Sequence, residues 1–240
     1  MSGDPAEQGT PAVGDEIEFV VERIAAGGDG FARLPSGMAV FADAGLPGDR
    51  VRGIVTHARQ RFARARVEAL VAPGSTRVES ECAYSEACGG CRFRSASYED
   101  ELRWKVEATV ESVRRLSGPP AWPDPEVIAA PSTDHYRERA RLHLGKGGAT
   151  GFFAPGSNDL IATENCRVLH PSIDGARRAA ASLFDGVRGV EALWMEWDDV
   201  RGSVAITAEV PRKAESPIAR KLQARIDRTG IPDGIGAVTL

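Results

Sequence analysis

The sequence predicts an α+β fold in two parts, a small β-barrel followed by a mixed α/β domain organised around cysteines. Short stretches of alternating polar and apolar residues crowd residues 14–72, separated by Gly and Pro turns. Cys82, Cys88 and Cys91 fall within ten residues of one another, and Cys166 follows after 74 intervening residues. Helix-period and strand-period segments then mix to residue 240. With 42% hydrophobic and 27% charged residues, the chain is apolar enough for sizeable cores and too apolar for disorder. No apolar run approaches the ~20 residues of a membrane helix. The opening MSGDPAEQGTPA has neither a basic start nor an apolar stretch, so residues 1–12 read as a disordered tail and the compartment as cytoplasmic.

The barrel is expected over residues 13–72. Ile17, Phe19 and Val21 alternate with Glu16, Glu18 and Glu22, the pattern of a half-buried strand. Phe31–Leu34, Met38–Phe41, Val51–Thr56 and Phe62–Leu70 follow, with turns at Gly27–Gly30, Pro35–Gly37 and Leu46–Asp49. Five short strands of this kind suit an OB-like barrel. The charge is uneven: residues 1–49 hold nine acids against Arg23 and Arg33, whereas residues 50–66 hold six arginines and no acid. Arg59, Arg61, Arg64 and Arg66 are therefore candidate RNA contacts, since barrel faces of this kind bind single strands through a basic groove.

After Pro73–Ser75, the segments 75–96 and 122–240 are expected to form the second domain. Residues 97–118 form a helix, opened by the Ser97/Asp100 capping pair, with Leu102, Val106, Val110, Val113 and Leu116 on one face and Gly118–Pro120 as its stop. Arg137–Leu144 reads as a strand turning through Gly145–Gly148 into Thr150–Phe153. Residues 171–184 and 216–229 read as helices, and 192–197, 204–210 and 236–240 as strands, with Trp194, Met195 and Trp197 as packing residues. Arg137, Arg139, Arg141 and His143 share one strand face and suggest a phosphate track, with Phe152 or Phe153 as a stacking platform. Salt bridges to Glu138 or Asp134 are the competing explanation.

The cysteines lie in C-x5-C-x2-C spacing plus one, with Gly89 and Gly90 inside the tight pair so that thiolates can converge. Cytoplasmic chains seldom form disulfides, so metal binding is favoured. A three-plus-one thiolate set suits a cubane iron–sulfur cluster, while His170 in place of Cys166 would make a Cys3His zinc site.

These residues carry a likeness. Glu81-Cys82-x5-Cys88-Gly89-Gly90-Cys91 followed by Tyr98, Leu102 and Lys105, the strand His135–Leu142, and the segments Gly151–Asp159 and Asn165–Leu169 resemble the iron–sulfur-containing 5-methyluridine RNA methyltransferases. The barrel resembles the TRAM domain of the branch acting on 23S ribosomal RNA. The resemblance implies a [4Fe-4S] cluster on Cys82, Cys88, Cys91 and Cys166, RNA as partner, S-adenosylmethionine as methyl donor, no membrane association and a monomer. In that family the nucleophilic cysteine and the cofactor loop belong to a Rossmann-like domain. Here no cysteine remains for that role and no G-x-G-x-x-G loop follows a strand. The expected fold is therefore an amino-terminal part with the Rossmann-like methyltransferase domain absent, without catalytic or cofactor-binding residues and inactive alone. The 97–118 helix is expected to dock on the missing domain. The alternatives are a stand-alone RNA-binding TRAM/iron–sulfur protein and a zinc-stabilised structural domain.

Overall fold

The computed structural model describes residues 10–117 and 125–240. Residues 1–9 of the expected tail and the Gly118–Pro120 helix stop lie outside the described residues. The chain divides into two compact units. One runs to Ser85 and resumes over Cys91–Ala129; the other takes Glu86–Gly90 and Ala130–Leu240.

In the first unit the period-2 pattern of Glu16–Val20 becomes β1, with Ile17 and Phe19 buried and the glutamates exposed. It is followed by β2 (Arg23–Ile24), β3 (Gly30–Arg33), β4 (Ala39–Ala42), β5 (Arg50–Ala58) and β6 (Phe62–Ala72). The sheet order is β1-β5-β6-β4-β3-β2, antiparallel except where β4 runs parallel to β6. The two-residue β2 is a sixth strand that the alternation did not announce. Ile17, Phe19, Val21, Val40, Val51, Val55, Ala63 and Ala65 form one core, so the sheet wraps its own inner face. Gly53 permits the tightest part of that wrap: a Cβ there would lie 2.5 Å from the Arg66 carbonyl oxygen, and the β5–β6 register shifts beside it.

Helix α1 (Tyr98–Ser117) starts at a capping box. The Asp100 amide donates to Ser97 Oγ at 3.1 Å, and the Ser97 hydroxyl donates to the Asp100 carboxylate at 2.9 Å. That hydroxyl, then Arg103, holds the Asp100 carboxyl below its usual range. Trp104, 2% exposed, packs with Ile24 and Leu46. Leu102, Val106, Val110 and Val113 instead line an open groove of about 500 Å³ with Pro125–Ile128.

The second unit contains β7 (Arg139–Leu144), β8 (Thr150–Phe153), β9 (Leu160–Ala162), α2 (Pro171–Ala179), α3 (Ala181–Phe184), β10 (Ala192–Asp198), β11 (Ser203–Glu209), α4 (Glu215–Thr229) and β12 (Ile235–Thr239). Its sheet order is β12-β11-β10-β7-β8-β9. Leu142, Leu193, Met195, Val204 and Ile206 on one sheet face meet Ile173, Leu183 and Phe184 of α2 and α3 and Ile218 and Leu222 of α4. Three details depart from expectation. The single helix expected over 171–184 breaks at Ala180. The 145–148 turn closes through a short 3₁₀ turn, Lys146–Gly148. Trp194 is not a packing residue but 44% exposed on the sheet's outer face, while Met195 is fully buried.

Candidate nucleic-acid interface and cysteine centre

Alternation along β6 buries Ala63 and Ala65 and turns Phe62, Arg64 and Arg66 outward. Arg59 and Arg61 precede it in a turn closed by the Arg59 amide bonding the Phe62 carbonyl at 2.8 Å. The four arginines are not equivalent. Arg64 pairs with Asp29 at 2.9 Å, and Arg66 pairs with Glu68 at 2.7 Å. Among the described residues the Arg59 and Arg61 guanidinium groups have no hydrogen-bond or ion-pair partner, and both residues are exposed.

Beside them lies an aromatic row that the sequence reading did not single out. Phe31 and Phe41 are register partners on β3 and β4, edge to face at 5.5 Å, and Phe41 meets Phe62 at 6.1 Å. Arg23 covers Phe31 at 4.0 Å, Arg33 flanks it at 5.9 Å, and Arg64 lies 5.8 Å from Phe41. Phe62 ends the row 36% exposed. The available signal was phase: Ala32 points into the core, so Phe31 and Arg33 share the opposite sheet face, where Phe31 is buried beneath Arg23.

In the second unit β7 buries Ala140 and Leu142 and turns Arg139, Arg141 and His143 the other way. These arginines are compensated, but not by Glu138 or Asp134. Arg139 pairs across the sheet with Glu196 at 2.7 Å, its register partner on β10. Arg141 grips Glu209 of β11 with two bonds, 2.7 and 3.1 Å. Glu209 also accepts from Trp194 Nε1 at 3.0 Å. Its carboxyl is held below the usual range, first by Arg141 and then by Trp194, while Glu209 raises the Arg141 guanidinium in turn. Asp134 serves Arg167 instead, at 2.9 Å. Phe153 stacks on His143 with centroids 3.5 Å apart. Arg137 precedes β7 and lies 6.0 Å from the Phe152 ring.

All four cysteines are half-buried thiols. In the first unit, the Cys82 amide bonds Ser80 Oγ at 3.2 Å and the Cys82 carbonyl accepts from Ser85 at 3.1 Å. In the second, the Gly90 amide donates to Cys88 Sγ at 3.4 Å and the Gly89 amide to the Phe153 carbonyl at 2.9 Å. A Cβ on Gly89 would lie 2.6 Å from that carbonyl oxygen, so this close approach needs glycine. The Cys166 amide donates to Asp174 Oδ1 at 3.2 Å. The donor chemistry suits a thiolate-held cluster, with an N–H···S bond of the sort that supports one. Among the described residues, however, no three His, Cys, Asp or Glu side chains are gathered so as to hold a metal ion. His170, the alternative zinc ligand, caps α2 by accepting from the Ser172 amide at 3.3 Å and stacks 4.8 Å from Trp197. Among the described residues no helix is long and apolar enough to cross a membrane.

Residues 12–67 match the model of the TRAM domain. The chain is 31% identical over 188 residues to the 23S rRNA (uracil(1939)-C(5))-methyltransferase RlmD of Pseudomonas putida, covering 75% of this chain and 41% of that protein. It is 34% identical over 173 residues to an uncharacterized RNA methyltransferase of Corynebacterium efficiens, with 71% and 41% covered. The chain thus spans about two fifths of the length of these relatives. Among solved structures, the Pyrococcus abyssi tRNA (uracil-54, C5)-methyltransferase in complex with S-adenosyl-L-homocysteine matches with a TM-score of 0.53 and 15% identity, covering 82% of this chain and 48% of that one. That likeness corrects the fold expected from sequence. The chain was read as a barrel plus cluster domain defined by an absent methyltransferase domain, yet 82% of it follows the fold of a methyltransferase. The expected absence, and the inactivity inferred from it, are withdrawn.

Proposed function

We propose that this chain is the RNA-recognising portion of an S-adenosylmethionine-dependent RNA uracil-C5 methyltransferase acting on ribosomal RNA. The observation that carries the reading is the outer face of the TRAM-like sheet. There the row Phe31–Phe41–Phe62 ends in an exposed ring beside two uncompensated guanidinium groups, Arg59 and Arg61. Exposed aromatics stack bases and free arginines take phosphates, the combination that single-stranded RNA requires. Arg64 and Arg66 sit on the same strand and reach RNA by exchanging Asp29 and Glu68 for phosphate. The second unit offers a basic, aromatic face of its own in Arg137, Arg139, Arg141 and Phe153, with Glu196 and Glu209 to be displaced.

The same reading makes Cys82, Cys88, Cys91 and Cys166 the ligands of a [4Fe-4S] cluster. Four half-buried thiols support it, together with the N–H···S bond at Cys88. Such a cluster would supply structural cross-linking here; no redox step is assigned to it.

Two experiments test this. In fluorescence-anisotropy titrations with single-stranded RNA, Arg61→Ala weakens binding and lowers the slope of log K against log salt by up to ~0.7. Val200→Ala, at an 89% exposed position of the second unit, serves as a surface control. An unchanged slope for both Arg59→Ala and Arg61→Ala refutes the phosphate role. Disruption of the gene should remove a 5-methyluridine from ribosomal RNA, read by mass spectrometry of nucleosides. A full complement of that nucleoside refutes the substrate assignment.

A further inference from the structure

A buried ion pair lies beneath the loop that carries Cys166. The Arg177 side chain is 3% exposed and that of Asp174 11%. Arg177 donates to Asp174 Oδ1 from Nε at 2.9 Å and from Nη2 at 2.6 Å, and Arg178 pairs with Asp174 Oδ2. Asp174 Oδ1 in turn accepts the Cys166 amide. Arg177 Nη2 and Arg178 Nη1 each donate to the Glu164 carbonyl at 2.8 Å, and Arg177 Nη1 reaches Thr150 Oγ1 at 3.4 Å. The Cys166 carbonyl closes the far side of the loop by accepting from Leu169 at 3.3 Å.

The arrangement is costly as a stabilising device. Two charges removed from water regain their desolvation only through near-complete pairing, and apolar replacements of similar volume often serve stability as well. What the pair does that an apolar pair would not is hold backbone. Apart from the Arg177 Nη1 bond to Thr150, the donors and acceptors left after the pairing hold the loop at residues 164–166, within two positions of the thiol. Metal ligands depend on such outer partners to fix their orientation.

We infer that Asp174 and Arg177 are positioning residues for Cys166, holding its backbone so that the thiolate is presented in one orientation to the iron–sulfur cluster. The inference rests on the cluster reading given above and assigns no chemistry to either residue.

The test uses the full chain, reconstituted anaerobically with iron and sulfide. Asp174→Leu/Arg177→Met replaces the pair with apolar residues of similar size, and Asp174→Asn removes the charge but keeps an acceptor. The double variant should fold, with a melting temperature of the iron-free protein close to that of the unaltered chain. Its cluster should lose iron to a chelator roughly tenfold faster, the scale seen when an outer partner is removed. The electron paramagnetic resonance spectrum of its reduced cluster should also change shape. Asp174→Asn should fall between the two. Wild-type iron retention and spectrum in both variants overturn the inference while leaving the cluster reading intact. Failure of both variants to fold makes the pair a structural element and also overturns it. An unaltered chain that binds no iron sinks the cluster reading, and this inference with it.

Discussion

Glu209 receives two donors from different strands, Arg141 and the indole of Trp194, and their pull makes it a stronger acid in the folded protein than in the unfolded one. The sign of its effect follows. An acid whose pKa falls on folding adds stability above its unfolded pKa, and that stability disappears as pH drops through the folded value. Urea unfolding at a series of pH values should therefore show Arg141→Met costing most near neutrality, with the cost shrinking as acid protonates Glu209. A gap independent of pH would leave only packing to explain it. This pairing was beyond reach of the sequence for a simple reason. Arg139 and Arg141 announced their common face by alternation, but their acids sit 57 and 68 residues further on, on strands whose register no local pattern encodes. The acids nearest in sequence, Glu138 and Asp134, were the natural guess, and Asp134 is taken by Arg167.

Elements declare themselves in proportion to their length and periodicity. β1, β6 and β7 were legible because each alternates, and α1 because its capping pair and aliphatic stripe agree. The three-residue β9 and two-residue β2 are too short to show a period, and the break at Ala180 has neither Gly nor Pro to mark it. In α1 the aliphatic stripe misled in one respect. Trp104 stands about 200° around the helix from Leu102, off that stripe, yet it is the residue that anchors α1 on Ile24 and Leu46. Truncating a fully buried tryptophan costs about 3–5 kcal/mol. Trp104→Ala should lower the denaturation midpoint of the first unit by a matching amount, whereas Val113→Ala, at a 39% exposed position, should move it little. Equal effects from the two would mean that α1 is held by its stripe.

At the scale of the whole molecule, each unit has its own core, one built around Val40, Val51 and Val55 and the other around Leu142, Met195 and Ile206. The five residues Glu86–Gly90 are counted with the second core although the chain on either side belongs to the first. Gly89 and Gly90 hold them there, through the bond to Phe153 and the close approach to the Phe152 ring. Gly89→Ala puts a methyl 2.6 Å from a backbone oxygen, which cannot swing aside as a flexible side chain would. Hydrogen exchange should speed up at β8 and its partner β9 in that variant, while the β5–β6 amides keep their protection. Unchanged exchange at β8 would show that the five residues are only lightly held. The glycines were visible in the sequence as a tight turn between cysteines; their attachment to Phe152 and Phe153 was not, because it spans more than sixty residues.

That stitch has a genetic consequence. Three crossings of the backbone, at Ser85/Glu86, Gly90/Cys91 and Ala129/Ala130, separate the units, so neither is a single uninterrupted stretch of gene. The strands of residues 12–72 can be copied into another protein by one recombination event. The second unit cannot, because a copy beginning at Ala130 leaves behind Cys88 and the segment that covers Phe152. Inheritance should therefore keep the region from residue 86 to the end together as a block, and let only the leading sheet be exchanged among lineages.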